Sequence, residues 1–139
     1  MIEQGLQQEI NMVMTEARNR RLEFVTVEHL LLALLNMDEV ISFLRGKRVN
    51  IDELRAELDQ YIDSHTPIIS EDAEIDIVPT VGFQRVLQRS VYQAQSAQKN
   101  SVNAMNVFVS IFSEKESHAV YMLKLNNISR LDVMEGISS

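Results

Sequence analysis

Histidines, carboxylates and serines are the residues of this 139-residue chain that could carry chemistry; cysteine is absent. Histidine and carboxylate side chains bind a metal when several converge, often as a histidine pair one helical turn apart. His29, His65 and His118 have no such spacing, and no His-Glu-x-x-His occurs, so no metal is expected. Two carboxylates act as an acid–base pair only where burial or a fixed partner separates their pKa values. The densest group, Glu71, Asp72, Glu74 and Asp76, shares a stretch with both prolines, Pro67 and Pro79, and reads as a solvated loop. The nucleophile elbow Gly-x-Ser-x-Gly is missing, as are the glycine-rich loops that cradle phosphate. The expectation is a chain with no catalytic residue, metal or cofactor of its own. His29, at the start of a helical pattern, is better suited to serving a helix end.

Bulk properties narrow the partners. The net charge is −7, a field that repels a phosphate backbone at long range, so nucleic acid is not expected. The basic clusters Arg18, Arg20, Arg21 and Arg45, Lys47, Arg48 read as helix ends, where cations favour the C-terminal dipole. The longest apolar run, Leu30 to Leu35, is far short of a membrane span. No basic segment followed by an apolar stretch opens the chain as a secretory signal would. With no thiols, these features suit a cytoplasmic protein.

The elements that must position any site are helical almost throughout. Leu6, Ile10, Val13, Met14 and Ala17 recur at helical spacing. Thr26 can cap a second helix whose Leu30–Leu35 run leaves no polar side, which predicts a central, buried element. Asp38 is placed to cap a third helix, with Gly46 as its left-handed stop. Asn50 and Glu53 form a capping-box pattern for a fourth, ended by Thr66-Pro67. Residues 66–81 are irregular, with Ile75, Ile77 and Val78 alternating with acids as if extended on the surface. Thr80 can cap a fifth helix through Phe83, Val86, Leu87, Val91 and Ala94, and Asn103 a sixth. Ser113 with Glu116 and Ser129 with Asp132 suggest starts for the last two. The seven methionines are read mainly as core filling.

The second helical series repeats the first. At an offset of 77 residues Leu6 falls on Phe83, Ile10 on Leu87, Met14 on Val91 and Ala17 on Ala94. Val25-Thr26-Val27 falls on Val102-Asn103-Ala104, and Leu30–Leu35 on Val107–Phe112; towards the ends the offset slips to 79 or 80. Two units are too few for a solenoid, but they can close on each other about a pseudo-twofold axis. The predicted fold is all-α: eight helices as two four-helix repeats in one domain over 1–139. Repeat one covers 1–65, an acidic linker 66–81 and repeat two 82–139.

Several segments carry a family likeness. Glu23-Phe24-Val25-Thr26-Val27-Glu28-His29 followed by Leu30–Leu35 resembles the Clp N-domain signature, and Phe83-Gln84-Arg85-Val86-Leu87-Gln88-Arg89 the start of its second half. Ile111-Phe112-Ser113-Glu114 and Ser129-Arg130-Leu131-Asp132-Val133 add later matches. The details are more similar to ClpA-type members than to ClpB or ClpC types. That resemblance implies a domain above the rings of a hexameric unfoldase, whose absent ATPase modules would use ATP and Mg. It implies binding of the adaptor ClpS, which delivers N-degron protein substrates, and a link to the ClpP peptidase through the parent hexamer. By the same resemblance Glu23, Glu28, Thr80 and Arg85 form the adaptor-binding face, with Arg89 extending it, and reversing the charge of Glu28 or Arg85 should weaken docking. Leu22 stands where that face would favour a polar residue. Direct capture of unfolded substrate, as in ClpB- or ClpC-like domains, is the alternative; an arginine-phosphate reader is a third, disfavoured by the acidic balance.

Overall fold

A computed structural model describes residues 1–74 and 76–138; the expected extended placement of Ile75 lies outside them. Eight helices follow in order among the described residues: α1 (Gln4–Asn19), α2 (Val27–Leu34), α3 (Asp38–Gly46), α4 (Ile51–His65), α5 (Val81–Ser96), α6 (Ala104–Ile111), α7 (His118–Leu125) and α8 (Arg130–Ser138). Two short strands, β1 (Phe24–Val25) and β2 (Val78–Pro79), pair in parallel. The all-α architecture of two four-helix halves is as the sequence predicts. Both ends of α1 and α5, and both ends of α2 and α6, differ by the same 77 residues.

The apolar run forms the centre. Leu30, Leu31, Leu34 and Leu35 are buried, as are Val107, Phe108, Ile111 and Phe112 of repeat two. Helix α2 packs on α1, α4, α5, α6 and α7, because a helix with almost no polar side must find neighbours around its circumference. Buried side chains from both repeats belong to one cluster. Phe43 meets Phe108 edge-on, with ring centres 6.0 Å apart. Helix α8 closes over Phe43 at Gly136, where a Cβ would stand 2.8 Å from the ring. Met105 and Met122 fill core, whereas Met12 is exposed.

The pseudo-twofold axis is written into the backbone. Val25 pairs with Pro79, and the Thr80 N–H donates to the Val25 carbonyl at 2.9 Å. Offset by one repeat, Val102 pairs with Ile2, and the Glu3 N–H donates to the Val102 carbonyl at 2.9 Å. Each half therefore lends the segment before its first helix to the segment before the other half's second helix.

Helix ends obey the same symmetry. Among the described residues those with positive φ are Arg21, Arg48, Gln98 and Asn127, at 58°, 61°, 59° and 60°. Each lets the next N–H reach back five residues: Leu22 to Ala17, Val49 to Leu44, Lys99 to Ala94 and Ile128 to Leu123. This corrects the reading of Gly46, which closes α3 with ordinary φ while Arg48 takes the left-handed turn. A side chain there is strained by roughly 1–2 kcal/mol. Gln98→Gly, at an exposed position, is expected to raise the unfolding free energy by about 1 kcal/mol, read as an increased urea midpoint at constant slope.

Caps are partly as expected. Asn50, Thr80 and Asn103 accept from the N–H groups of Glu53, Phe83 and Asn106. Ser129 and Asp132 form a reciprocal box. Two starts differ. Met37 precedes α3 and Asp38 is its first residue, where its charge faces the helix dipole instead. Helix α7 begins one turn later than Ser113 and Glu116 suggest: Ser117 accepts from the Val120 N–H at 3.2 Å, while the Ser113 hydroxyl donates back to the Ser110 carbonyl.

Candidate docking face

The paired segments bring the two halves of the expected site together. The Glu23 N–H donates to the Pro67 carbonyl at 2.8 Å, and its own carbonyl accepts from the Val78 N–H at 3.0 Å. Glu23 is thus held between the two ends of the 66–81 segment, half-buried. Two residues after Val78, Thr80 caps α5 through its hydroxyl, its N–H being used by Val25. Leu22, placed by sequence on a surface, is instead buried beneath this layer, in an antiparallel bridge with Ile68.

Arg85 lies one turn into α5 and donates two hydrogen bonds to Glu114, at 2.9 and 2.7 Å. Glu114 is the more enclosed partner. The hydrogen bonds from Arg85 hold its carboxyl below the usual carboxylate range; the charges of Arg85 and Arg89 add to them, against the opposing effect of burial. Gly82 makes room for the pair: a Cβ there would stand 3.0 Å from a Glu114 oxygen. Arg89 is exposed one turn further along α5.

Glu28 is placed differently from the other four. It is 7% exposed, and its carboxylate accepts from the Ala119 N–H at 2.9 Å. Ala119 lies in the first turn of α7, so a repeat-one acid neutralises an N-terminus of repeat two. Sequence position suggested a free carboxylate at the α2 start; the second repeat, 91 residues away, occupies it. Reversing its charge would disrupt the junction, so it cannot serve as a clean binding test.

Three further residues complete the face. Val78 and Val81 bracket Thr80 and are 46% and 66% exposed; Ile68, beyond Glu23, is also exposed. The alternation in the 66–81 segment pointed to Val78, whereas periodicity gave no signal for Ile68 or for Val81, which stands at a helix start. Glu114 was legible only as a family match. At the pseudo-equivalent positions of the other half stand Gln4, Gln8, Met37 and Asn100 in place of Val81, Arg85, Glu114 and Glu23. Val78 is matched by the exposed Met1, so Val81 and the fixed ion pair are what belong to one of the two related faces.

The acidic segment that borders this face is tied down. Arg18 donates to Asp76 at 3.0 Å, and the Arg21 guanidinium donates to the carbonyls of Ile69, Ser70 and Ala73. Arg20 pairs with Asp63. The first basic cluster thus holds loop and helix rather than simply ending α1. Ile77 turns inward and Val78 outward, so part of the segment is extended as expected.

The histidines have structural places. His29 accepts from the Thr26 N–H through Nδ1 at 3.0 Å, the role Asn106 plays for Asn103 in repeat two. His65 and His118 stack on Tyr61, with ring centres 4.1 and 3.8 Å away. Burial first, and then the Glu28 charge, raise the Tyr61 hydroxyl above its ordinary pKa. Among the described residues no three metal-ligating side chains converge, and no helix is long and apolar enough to cross a membrane.

Two fused helical halves thus present a mixed apolar and charged strip on one face. The profile of the Clp repeat (R) N-terminal domain matches residues 1–126. The chain belongs to this Clp N-terminal domain family. A relative named "ClpA homolog protein" from Fuscovulum blasticum is 35% identical over 134 residues, which is 96% of this chain and 17% of that protein; the chain spans about a sixth of the relative's length. The Hsp104 N-terminal domain from Candida albicans shares the fold at a TM-score of 0.80 and 12% identity, covering 97% of this chain and 87% of that one. A ClpV N-domain in complex with VipB peptide does so at 0.71 and 15%, covering 95% and 81%.

Proposed function

We propose that this chain is the adaptor-docking domain of a ClpA-type unfoldase, and that the strip of Glu23, Val78, Thr80, Val81 and Arg85 receives a ClpS-type adaptor. The observation that carries this reading is the asymmetry of the two related faces: the exposed Val81 beside an ordered arginine–carboxylate pair on one is replaced by Gln4, Gln8 and Met37 on the other. An apolar centre with charge at its rim is the usual anatomy of a specific interface. The likeness to a ClpA homolog supports the choice of adaptor. Glu28 acts here as a positioning residue, fixing α7 and with it Glu114 behind Arg85. Arg89 extends the positive end. In this reading the domain works in the cytoplasm without a cofactor, while ATP and Mg act in ATPase modules of the parent hexamer, which passes N-degron substrates to ClpP.

Arg85→Glu sets two carboxylates against each other and reverses the rim. Because Arg85 is exposed, the change should act largely on the association rate. A ClpS-type adaptor is expected to bind the wild type one-to-one and the variant about tenfold more weakly, a difference of about 1.4 kcal/mol; calorimetry showing equal affinities would remove Arg85 from the site.

A second reading, direct capture of unfolded chains, is favoured by the exposure of Ile68, Val78 and Val81. The peptide held by the ClpV N-domain supports this use of the fold. Denatured protein would then compete with the adaptor.

A further inference from the structure

Repeat two carries a separate cavity where α6 turns through α7 into α8. Phe112, Val120 and Ile128, all core residues, form its floor, and its volume is about 440 Å³, the size of a site for a small ligand or inserted side chain. Lys115, Lys124 and Arg130 stand around it with Asn127 and Ser129, and no carboxylate lines it. All three cations are exposed, and none is ion-paired among the described residues. Two of the nearby acids are engaged elsewhere, Glu114 with Arg85 and Asp132 with Ser129 and Lys47, while Glu116 lines a neighbouring pocket and not this one. On a chain of net charge −7, this is a local inversion of sign around an apolar floor.

Repeat one supplies an internal comparison. Its related cavity, about 290 Å³, is lined by Val49, Asn50 and Ile51 at the positions of Ile128, Ser129 and Arg130. There Asp52 lines the wall, and Arg55 both pairs with it and donates to the Leu35 carbonyl at 3.0 Å. Arg45, at the position of Lys124, also lines this cavity, so one cation is left open in the first repeat among the described residues and three in the second.

We propose that the α6–α8 cavity is a second docking site, for a short acidic peptide segment that lays one apolar side chain over Phe112, Val120 and Ile128. Carboxylates on either side of that side chain meet Lys115, Lys124 and Arg130. The cations lie on separate elements, so they favour several carboxylates spaced along a chain over a single anion. The site shares no residue with the adaptor strip, and its failure would leave that strip untouched.

The test is an amide-resolved NMR titration of the full chain with acetyl-Asp-Glu-Leu-Glu-Asp-amide. Saturable shifts centred on Phe112, Val120, Lys124 and Ile128 are expected. Affinity should fall about tenfold or more in a Lys124→Glu, Arg130→Glu double variant, and similarly when the peptide leucine becomes serine. It should also weaken with salt. Thermal melting confirms that the double variant is folded. Absence of saturable shifts, shifts centred elsewhere, or equal affinity for the charge-reversed chain or the serine peptide would each overturn the proposal.

Discussion

Replacing Glu28 by alanine is expected to lower the unfolding free energy by about 3 kcal/mol, although the residue stands within a sequence read as a docking surface. The carboxylate is buried, and its oxygen accepts from the Ala119 N–H. A hydrogen bond to a charged acceptor contributes roughly 1.5–3 kcal/mol, and its loss leaves a buried donor without a partner. The charge also opposes the positive end of α7, a further contribution of roughly 0.3–1 kcal/mol. Glu28→Gln keeps an acceptor oxygen and should cost about 1 kcal/mol. Urea unfolding of the two variants checks the order. A fully stable Glu28→Ala protein would mean that the bond to α7 contributes little and that the carboxylate is available to a partner.

Acid sensitivity is the second large expected effect, and it centres on His29. Burial, and after it the charge of Arg20, lower its pKa from 6.5 to about 4. The Nδ1 atom already accepts from the Thr26 N–H, so the proton of the neutral ring lies on Nε2, which is buried with no hydrogen-bond partner. Protonation in the folded state would break the cap. The unfolded chain therefore binds the proton more readily between pH 6.5 and 4. Stability is full above pH 6.5 and falls as pH drops through that window, by about 1.4 kcal/mol per pH unit and about 3 kcal/mol in all. The carboxyls of Asp76, Glu114 and Asp132, held low by their partners, contribute stability that is lost on acidification below the ordinary carboxylate range. His29→Asn copies the cap that Asn106 makes in repeat two, so it should retain the helix start and flatten the pH dependence above 4.5. Urea unfolding from pH 7.5 to 4.5 compares the two proteins; equal slopes would show that His29 is not the group responsible.

The repeat was legible because each half obeys the same local rules. Helical periodicity depends on residues three and four apart, and caps on residues three apart. Leu6 and Phe83, or Thr26 and Asn103, therefore announce themselves without knowledge of the fold. The exchange of Val25–Pro79 for Val102–Ile2 was hidden, since two-residue strands carry no period. The left-handed turns were hidden for another reason: arginine, glutamine and asparagine occupy them where glycine would have signalled the turn. Within the site, Thr80 and Arg85 were recognisable, and the structure gives Thr80 the capping role its neighbours suggested. The partners of the charges were not, because Arg85 meets Glu114 across 29 residues and Glu28 meets Ala119 across 91. Tertiary packing alone decides which acids are spent inside the fold and which remain for a partner. Val78 was legible from the alternation of its segment, whereas Val81 looks like an ordinary apolar residue until the start of α5 turns it outward.

The most direct test of the docking account is calorimetric titration of a ClpS-type adaptor into the wild-type chain and into Val81→Asp. Val81 is 66% exposed at the first residue of α5, where an added acid favours the helix dipole and should leave the fold intact. The account predicts one-to-one binding to the wild type and a loss of about tenfold or more in the variant, as a charge enters the apolar centre of the interface. Wild-type affinity in a correctly folded Val81→Asp protein would contradict it.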